Sequence, residues 1–372
     1  MIRWTLGFFA CLVSFLFISA THAEVYVADK LGHISPAQNV HIPAGVVKAF
    51  PISTKEFPDA EHVIDFTPLK AMFFDTLVMV CNDLQKQIII SGGRGACKSY
   101  SIKDRANIKI KTVAGTQYWL IFDNRSSLIS TKSFSYTIHS SVKVVKESRK
   151  KMRESLNAGM QEFFDTIETP EFDLRILSCG QKNAFSDIDD GDITLCSELL
   201  FYTEYNDLKG AFAGIFAHEL GHTLMNLWGD PNFKNERSAD EFAIALTFIL
   251  ENVPTSSSST QPDLTAEDVL RDTISFFENI ANTSLETQAA MVGGQHPLSV
   301  QRINNFKQIM KAPDEFVKQW TGTIYPRLKV RALESIIDDP HTGADVDLAK
   351  KLLLKRKACG TIPLNECQFK AQ

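Results

Sequence analysis

Beyond its first 23 residues, the 372-residue chain has no apolar run long enough to cross a membrane. A bilayer span needs about 20 consecutive apolar residues, so we expect no membrane span once an N-terminal signal has been removed. Basic residues are not in surplus either, because 39 Lys and Arg stand against 44 Asp and Glu, for a net charge of −5. The sequence shows no basic patch, and this balance argues against nucleic acid as a partner.

Cysteine is sparse, and no pair has the C-x-x-C spacing of a zinc or redox motif. Apart from Cys11, six cysteines remain, and they fall into three couples that are close in sequence: 81/97, 179/196 and 359/367. An exported chain reaches an oxidising compartment, in which such couples form disulfides. We therefore predict structural disulfides, while the sequence alone leaves their connectivity open.

The first 23 residues predict an export signal. Arg3 supplies a positive start, residues 6–18 are apolar apart from one glycine and one serine, and small residues lead to a cleavage site after Ala23. A retained membrane anchor and a lipid attached at Cys11 are the alternatives. We expect cleavage of residues 1–23, and a periplasmic or secreted bacterial protein.

The chain changes character near residue 145. Residues 24–145 alternate short apolar runs, among them 87–91 and 118–123, with turn-forming segments, which predicts a β-sandwich-like module. Across residues 146–372, apolar residues recur mainly at helical spacing, which predicts a largely helical part. The expected fold class is therefore α+β, with the β-rich module first and the helical part second.

Two helices in the second part carry the candidate site. A strand is expected at 192–201, followed by a helix at 207–228, which Asp207 can cap and which Gly229 can end. A further helix is expected at 235–252. By fold-level analogy, the expected strand beside the first helix can pair with an extended ligand by backbone hydrogen bonds.

The first of these helices contains the motif H-E-x-x-H at His218, Glu219 and His222. Two histidines four residues apart project from one face of a helix, so both imidazoles can reach one tetrahedral Zn²⁺ ion. Glu219 lies beside them and can act as a base on a zinc-bound water. We interpret the three residues as two metal ligands and a catalytic base, with a chance occurrence of the motif as the alternative.

A third ligand is expected, because catalytic zinc usually takes three protein ligands and keeps one position open. Glu236 follows His222 by 14 residues, which lets the first helix end and the chain turn back. Asp240 lies one turn beyond Glu236 on the same face, where it can hold the far nitrogen of a zinc histidine. We predict Glu236 as the third ligand and Asp240 as the supporting carboxylate. For either residue, a surface helix charge is the alternative.

Residues of roughly 170–310 resemble a family of secreted bacterial metallopeptidases that is known mainly as a domain of unknown function. The resemblance rests on residues 179–199, on the segment 236–240 and on the His-Pro-Leu-Ser-Val-Gln-Arg segment at 296–302. The last two segments are also similar to gluzincin peptidases of the Ste24/HtpX type. The short gap between the two helices is more like that of the ImmA/IrrE-type peptidases. The resemblance implies a gluzincin zinc site and supplies no substrate.

His296 and Arg302 are further catalytic candidates. A peptidase needs a hydrogen-bond donor for the tetrahedral oxyanion, opposite the metal, and either side chain can supply one. His296 has two alternatives, which are a fourth zinc ligand that closes the site and an ordinary loop residue. For Arg302, the alternative is a structural salt bridge to the helices of the site.

Together these features predict a zincin-like zinc metallopeptidase domain at 146–372. Zn²⁺ is held by His218, His222 and Glu236, and Glu219 accepts a proton from the attacking water and passes it to the leaving amine. The expected partner is a protein or peptide substrate. The sequence reveals neither the identity of this substrate nor the oligomeric state. Two alternatives stay open: a zinc-binding envelope assembly protein with little or no hydrolysis, and a hydrolase of a non-peptide amide such as cell-wall material.

Overall fold

The computed structural model of the chain divides into two units. One comprises residues 29–145 with 178–180 and is called the β unit here, and the other comprises the rest and is called the helical unit. The structure describes residues 24–35, 38–52, 60–69, 75–103, 106–113, 116–127, 130–251, 253, 264–281, 299–341 and 343–359. The predicted signal at 1–23, His296 and Cys367 lie outside the described residues.

Thirteen strands lie within the described residues. In chain order they are β1 (Val25–Val27), β2 (Lys30–Ile34), β3 (Gln38–Ile42), β4 (Val47–Ile52), β5 (Ala60–Pro68), β6 (Asp75–Asn82), β7 (Lys98–Lys103), β8 (Ala106–Lys111), β9 (Tyr118–Asp123), β10 (Lys132–Lys143), β11 (Leu174–Leu177), β12 (Ala184–Ser186) and β13 (Ile193–Cys196).

The same residues form ten α-helices and a 3₁₀ turn at Tyr325–Arg327. The helices are α1 (Asp83–Ile90), α2 (Lys146–Thr166), α3 (Ser197–Tyr205), α4 (Lys209–Leu227), α5 (Glu236–Glu251), α6 (Ala266–Ala281), α7 (Ser299–Lys311), α8 (Pro313–Ile324), α9 (Val330–Asp338) and α10 (Val346–Cys359). Of these described helices, none combines the length and the apolar content that a bilayer crossing requires. The predicted α+β class is confirmed.

Two antiparallel sheets form the β unit. One has the order β2-β10-β5-β8, with β3 also paired to β10, and the other has the order β4-β9-β6-β7. Burial alternates along β10, as a strand with one covered face requires. Inward side chains of both sheets share one core, in which the ring centroid of Phe122 lies 6.1 Å from that of Phe66 and 4.7 Å from that of Phe134. The predicted β-sandwich-like module is confirmed.

The expected strand at 87–91 is wrong, because this segment belongs to helix α1. The side chain of Asn82 accepts a hydrogen bond from the backbone N–H of Gln85, and the Gln85 side chain accepts one from the N–H of Asn82. This reciprocal capping box satisfies two N–H groups that a helix start would otherwise leave free. It outweighs the strand preference of the three isoleucines that follow. A disulfide joins Cys81 to Cys97, within one of the three couples, and brackets the helix.

A small mixed sheet opens the helical unit, with the order β1-β11-β13-β12. Strand β1 comes from the segment that the sequence pattern assigns to the β-rich module, and it pairs in parallel with β11. Val25 and Val27 are 4% and 3% exposed, so burial of these side chains accompanies the pairing. Strand β12 was not anticipated, and it lies antiparallel to β13 at one edge of the sheet.

The expected strand at 192–201 is too long. Strand β13 ends at Cys196, and α3 begins at Ser197. Leu199, Tyr202 and Thr203 are all buried, and their spacing of three and four residues matches a helix with one covered face. Cys179, Cys196 and Cys359 are also disulfide-bonded, as the prediction of structural disulfides requires. Their pairing within the couples 179/196 and 359/367 stays a prediction.

His62 of β5 is buried in the β unit at 1% exposure. Its Nδ1 lies 2.7 Å from Ser140 Oγ, and its Nε2 lies 2.9 Å from Thr112 Oγ1. Burial, followed by the charge of His33, lowers the pKa of His62 from 6.5 to about 4. Between these two values the unfolded chain binds the extra proton, so the stability from His62 is fully present above pH 6.5 and is lost as the pH falls towards 4.

We expect acidification from pH 7.5 to 4.5 to destabilise the wild-type β unit by about 2 kcal/mol more than a His62→Gln variant, which cannot take up the proton. Hydrogen exchange of peptides from β5 and β10 measures this difference within the whole protein. Equal pH responses of wild type and His62→Gln would contradict the prediction.

Candidate metal centre

Helix α4 carries the H-E-x-x-H motif through the interior of the helical unit. His218, Glu219 and His222 are 2%, 2% and 9% exposed. Histidine and glutamate are seldom buried without a partner, so their burial on one helix indicates a built site. The neighbouring helices α5, α6 and α7 supply the residues that surround them.

Two glycines allow these helices to approach α4 closely. A Cβ on Gly214 would clash with Oγ1 of Thr273 in α6, and a Cβ on Gly221 would lie 3.0 Å from the backbone oxygen of Ala239 in α5. A side chain at Gly214 would clash with α6, and one at Gly221 would require α5 to give way by a few tenths of an ångström. At Gly221 the helix packs directly on the backbone of α5, which brings Glu236, at the start of α5, beside the two histidines.

Three potential ligand groups meet between α4 and α5. His218 Nε2 lies 3.1 Å from His222 Nε2 and 3.1 Å from one carboxylate oxygen of Glu236. His222 Nε2 lies 3.6 Å from the other oxygen of Glu236. The structure thus brings together the three residues predicted as ligands, and they could hold one metal ion.

The far nitrogens of both histidines are held by oxygen atoms. Nδ1 of His218 lies 2.8 Å from a carboxylate oxygen of Asp240, and Nδ1 of His222 lies 2.5 Å from the backbone oxygen of Phe233. When each Nδ1–H donates to its oxygen, each Nε2 lone pair is directed at the cluster, as metal ligation requires. Asp240 occupies the predicted supporting position. The contact with the backbone oxygen of Phe233 could not be predicted from the sequence, because every residue type has such an oxygen.

Arg302 of α7 is buried against Asp240, at 7% and 1% exposure. Its Nε lies 3.1 Å from one oxygen of Asp240 and its Nη2 lies 2.5 Å from the other, which makes the pair bidentate. Nη2 also lies 3.1 Å from Nδ1 of His218, and the guanidinium carbon lies 4.3 Å from the ring centroid of Phe277 in α6. Its guanidinium is therefore engaged with the helices of the site, which corresponds to the salt-bridge alternative for this residue.

The buried charges around Asp240 set its protonation state. Burial raises the pKa of the Asp240 carboxyl, but the charges of Arg302 and His218 and their hydrogen bonds outweigh it and hold that pKa below its usual range. For His218, burial and the charge of Arg302 lower the pKa. Asp240 and a hydrogen bond to Glu236 outweigh these two effects, so the net result is a pKa raised from 6.5 to about 9. Asp240 is therefore an ionised acceptor for both neighbours.

Residues 139–315 match the family DUF4344, described as "Putative metallopeptidase". The match covers 177 of the 372 residues and includes the motif on α4, Glu236, Asp240 and Arg302. This part of the chain is similar to that family, and the match does not extend over the rest of the chain. The predicted resemblance to a metallopeptidase family of unknown function is confirmed, and its finer likeness to particular gluzincin types stays a prediction.

Other comparisons are distant. No curated protein gives a significant match. Among solved structures, a Yersinia pseudotuberculosis-derived mitogen is 11% identical, with 31% of this chain and 91% of that chain covered and a TM-score of 0.21. A structure of Bacillus endospore appendages, described as a family of disulfide-linked pili, is 4% identical, with 35% and 100% covered and a TM-score of 0.21. TM-scores this low carry no argument about fold or function.

Replacing Gly221 with alanine should disturb the candidate metal centre, although alanine favours a helix over glycine by about 1 kcal/mol. The new methyl group would crowd the Ala239 oxygen and the Phe242 ring, so α5 would have to move, and Glu236 with it. We expect zinc affinity, measured by chelator competition, to fall at least about tenfold, with a lower Tm.

Gly322→Ala in α8 is the matched control, because its Cβ would meet nothing within 4 Å. This variant should leave zinc affinity unchanged, with a Tm equal to or above that of the wild type. Wild-type zinc affinity and Tm in Gly221→Ala would show that the close contact does not position Glu236.

Proposed function

We propose that this chain is an exported zinc metallopeptidase that hydrolyses peptide bonds in protein or peptide substrates. The observation that carries the proposal is the convergence of His218, His222 and Glu236, with Glu219 on the same helix, inside a segment that matches a metallopeptidase family. Disulfide formation at Cys81–Cys97 supports an oxidising destination, in line with the predicted export signal.

The donor set fits zinc. Two imidazole nitrogens and a carboxylate are ligands that Zn²⁺ takes in catalytic sites, whereas Ca²⁺ and Mg²⁺ prefer all-oxygen sites. Zinc–ligand distances of about 2.0–2.1 Å in a tetrahedron imply ligand atoms about 3.3 Å apart. The observed separations of 3.1, 3.1 and 3.6 Å bracket that value. With three protein ligands, one position stays open for substrate chemistry.

Glu219 is the proposed general base. A zinc ion held by the three ligands would supply a Lewis acid that polarises the substrate carbonyl and acidifies water. A carboxylate oxygen of Glu219 accepts the proton of the attacking water and then delivers it to the nitrogen of the leaving amine. Glu219 is one residue from His218 on α4 and is 2% exposed, which keeps its carboxylate close to the reacting atoms and largely shielded from bulk water.

Asp240 and Arg302 are proposed to position His218 rather than to touch the substrate. Asp240 accepts the Nδ1 proton of His218 and fixes the ring plane, and Arg302 holds the carboxylate of Asp240 through two hydrogen bonds. A carboxylate held in this way raises the basicity of the histidine ligand. The role of His296 as an oxyanion donor or a fourth ligand stays a prediction, because that residue lies outside the described part of the chain.

An extended substrate cannot pair with the strand that was expected from the sequence, and another strand must bind it. Strand β13 is flanked by β11 and β12, so its backbone is already paired on both sides. Among the described strands of this sheet, β12 has a partner on one side only, and Ser186 Oγ lies 2.7 Å from Thr223 Oγ1, one residue beyond His222. We propose that an extended substrate adds to the open edge of β12 by backbone hydrogen bonds.

Glu219→Gln should abolish peptide hydrolysis while retaining zinc. The amide keeps the shape of the side chain but cannot accept the proton, so the expected loss in kcat is at least about 100-fold. Cleavage of an unfolded protein measures activity, and metal analysis of the same sample measures zinc. Bound zinc without any Glu219-dependent cleavage would favour the alternative of a zinc-binding assembly protein.

Asp240→Asn should weaken zinc binding by about 10–100-fold, because the amide is a poorer acceptor for His218 and leaves Arg302 without its counter-charge. Chelator competition measures the affinity. Glu241→Gln is the matched control on the next residue of α5, where the carboxylate pairs only with the exposed Arg237 among its described contacts. It should bind zinc within about twofold of the wild type. Equal losses in both variants would contradict a specific role for Asp240.

A further inference from the structure

Helix α1 of the β unit presents its apolar side chains to the outside. Leu84, Ile88 and Ile90 are 72%, 38% and 51% exposed, whereas Ile89 is the buried residue of this helix. Single exposed aliphatic residues are ordinary, but two of these three share one face of the helix, whereas Ile90 lies about 160° round the helix axis from Ile88, at the helix end. Leu84 and Ile88 are one turn apart and adjoin each other on that face.

Polar contacts fix α1 in this orientation. Gln85 donates a hydrogen bond of 2.8 Å to the backbone oxygen of Ala96, and Lys86 Nζ lies 3.2 Å from the ring centroid of Trp119. Trp119 Nε1 in turn donates to Asp83 at 2.6 Å. With the Cys81–Cys97 disulfide closing the segment, these contacts prevent the helix from turning its aliphatic face inwards. The exposed face is therefore a fixed surface feature.

Charge is divided unevenly along the chain. Residues 29–145, which make up nearly all of the β unit, contain 14 Lys and Arg against 9 Asp and Glu, a balance of +5 within a chain of net charge −5. Two of these basic residues, Arg94 and Lys98, follow α1 closely and are exposed. A basic unit with an exposed apolar helix complements a surface that is both negatively charged and apolar underneath.

We propose that α1 docks the β unit on the surface of a membrane that contains anionic lipid. Leu84 and Ile88 enter the boundary between head groups and acyl chains, and Arg94 and Lys98 face the lipid phosphates. The helix is too short to span a bilayer and is closed by the disulfide, so it lies on the membrane. This surface is independent of the metal centre and holds whether or not the helical unit hydrolyses peptides.

Vesicle co-sedimentation tests the proposal with the exported protein, whose N-terminus is checked by mass spectrometry so that no signal contributes. We expect binding to vesicles of phosphatidylglycerol and phosphatidylcholine that weakens between 0.05 and 0.5 M NaCl, as ~10 Å screening at 0.1 M implies. Leu84→Ser/Ile88→Ser should lower the partition coefficient at least about tenfold. Arg94→Glu/Lys98→Glu should reduce binding to these vesicles and flatten the salt dependence.

Val113→Ser is the matched control, since Val113 is 58% exposed on the same unit away from α1 in sequence, and it should bind as the wild type does. Circular dichroism and an intact Cys81–Cys97 bond verify that each variant is folded. Failure of the wild type to bind anionic vesicles, or equal binding by all variants, would overturn the proposal. So would light scattering that shows a dimer lost in Leu84→Ser/Ile88→Ser, because the face would then join two copies of the chain.

Discussion

The buried ion pair between Asp240 and Arg302 is the interaction on which the order of the candidate metal centre depends. Each charge is almost fully removed from water, and an isolated charge in that position would be strongly unfavourable. Bidentate geometry and a further bond to His218 compensate for the loss of hydration. Because the three residues come from α5, α7 and α4, satisfying the charges also fixes three helices at one point.

Backbone packing and charge pairing have complementary effects at this centre. The contact between Gly221 and Ala239 sets how far α5 lies from α4, and hence how far Glu236 lies from the histidines. Hydrogen bonds to Nδ1 then set how each imidazole ring is turned. If only the distance between α4 and α5 were set, the Nε2 lone pairs would point in different directions. If only the rings were oriented, Glu236 would be too far from the histidines to share a metal ion with them. A metal site needs both kinds of constraint, and here they come from α4, α5 and the turn that connects these two helices.

Periodic features of the sequence predicted the frame of the site, and non-local features did not. Helical spacing alone indicated that His218 and His222 share a face, and that Asp240 stands one turn from Glu236. The strand expected at 87–91 failed because a capping box at Asn82 decided the local conformation. Strands β1 and β12 are only three residues long, and their existence depends on partners elsewhere in the chain. Which of its alternatives Arg302 adopts likewise depends on a residue 62 positions away.

The pairing of β1 with β11 makes the β unit an insertion within the helical unit. The chain begins the small sheet at Val25–Val27, leaves for the β unit, and returns at α2 before it forms β11. Both ends of the excursion lie side by side, because the N–H of Val144 donates to the backbone oxygen of Asp29 at 2.9 Å. An inserted domain whose two ends are adjacent can fold without straining the domain into which it is inserted. During synthesis, however, about 150 residues separate β1 from its partner β11. The small sheet is therefore completed only after the inserted β unit has emerged from the ribosome.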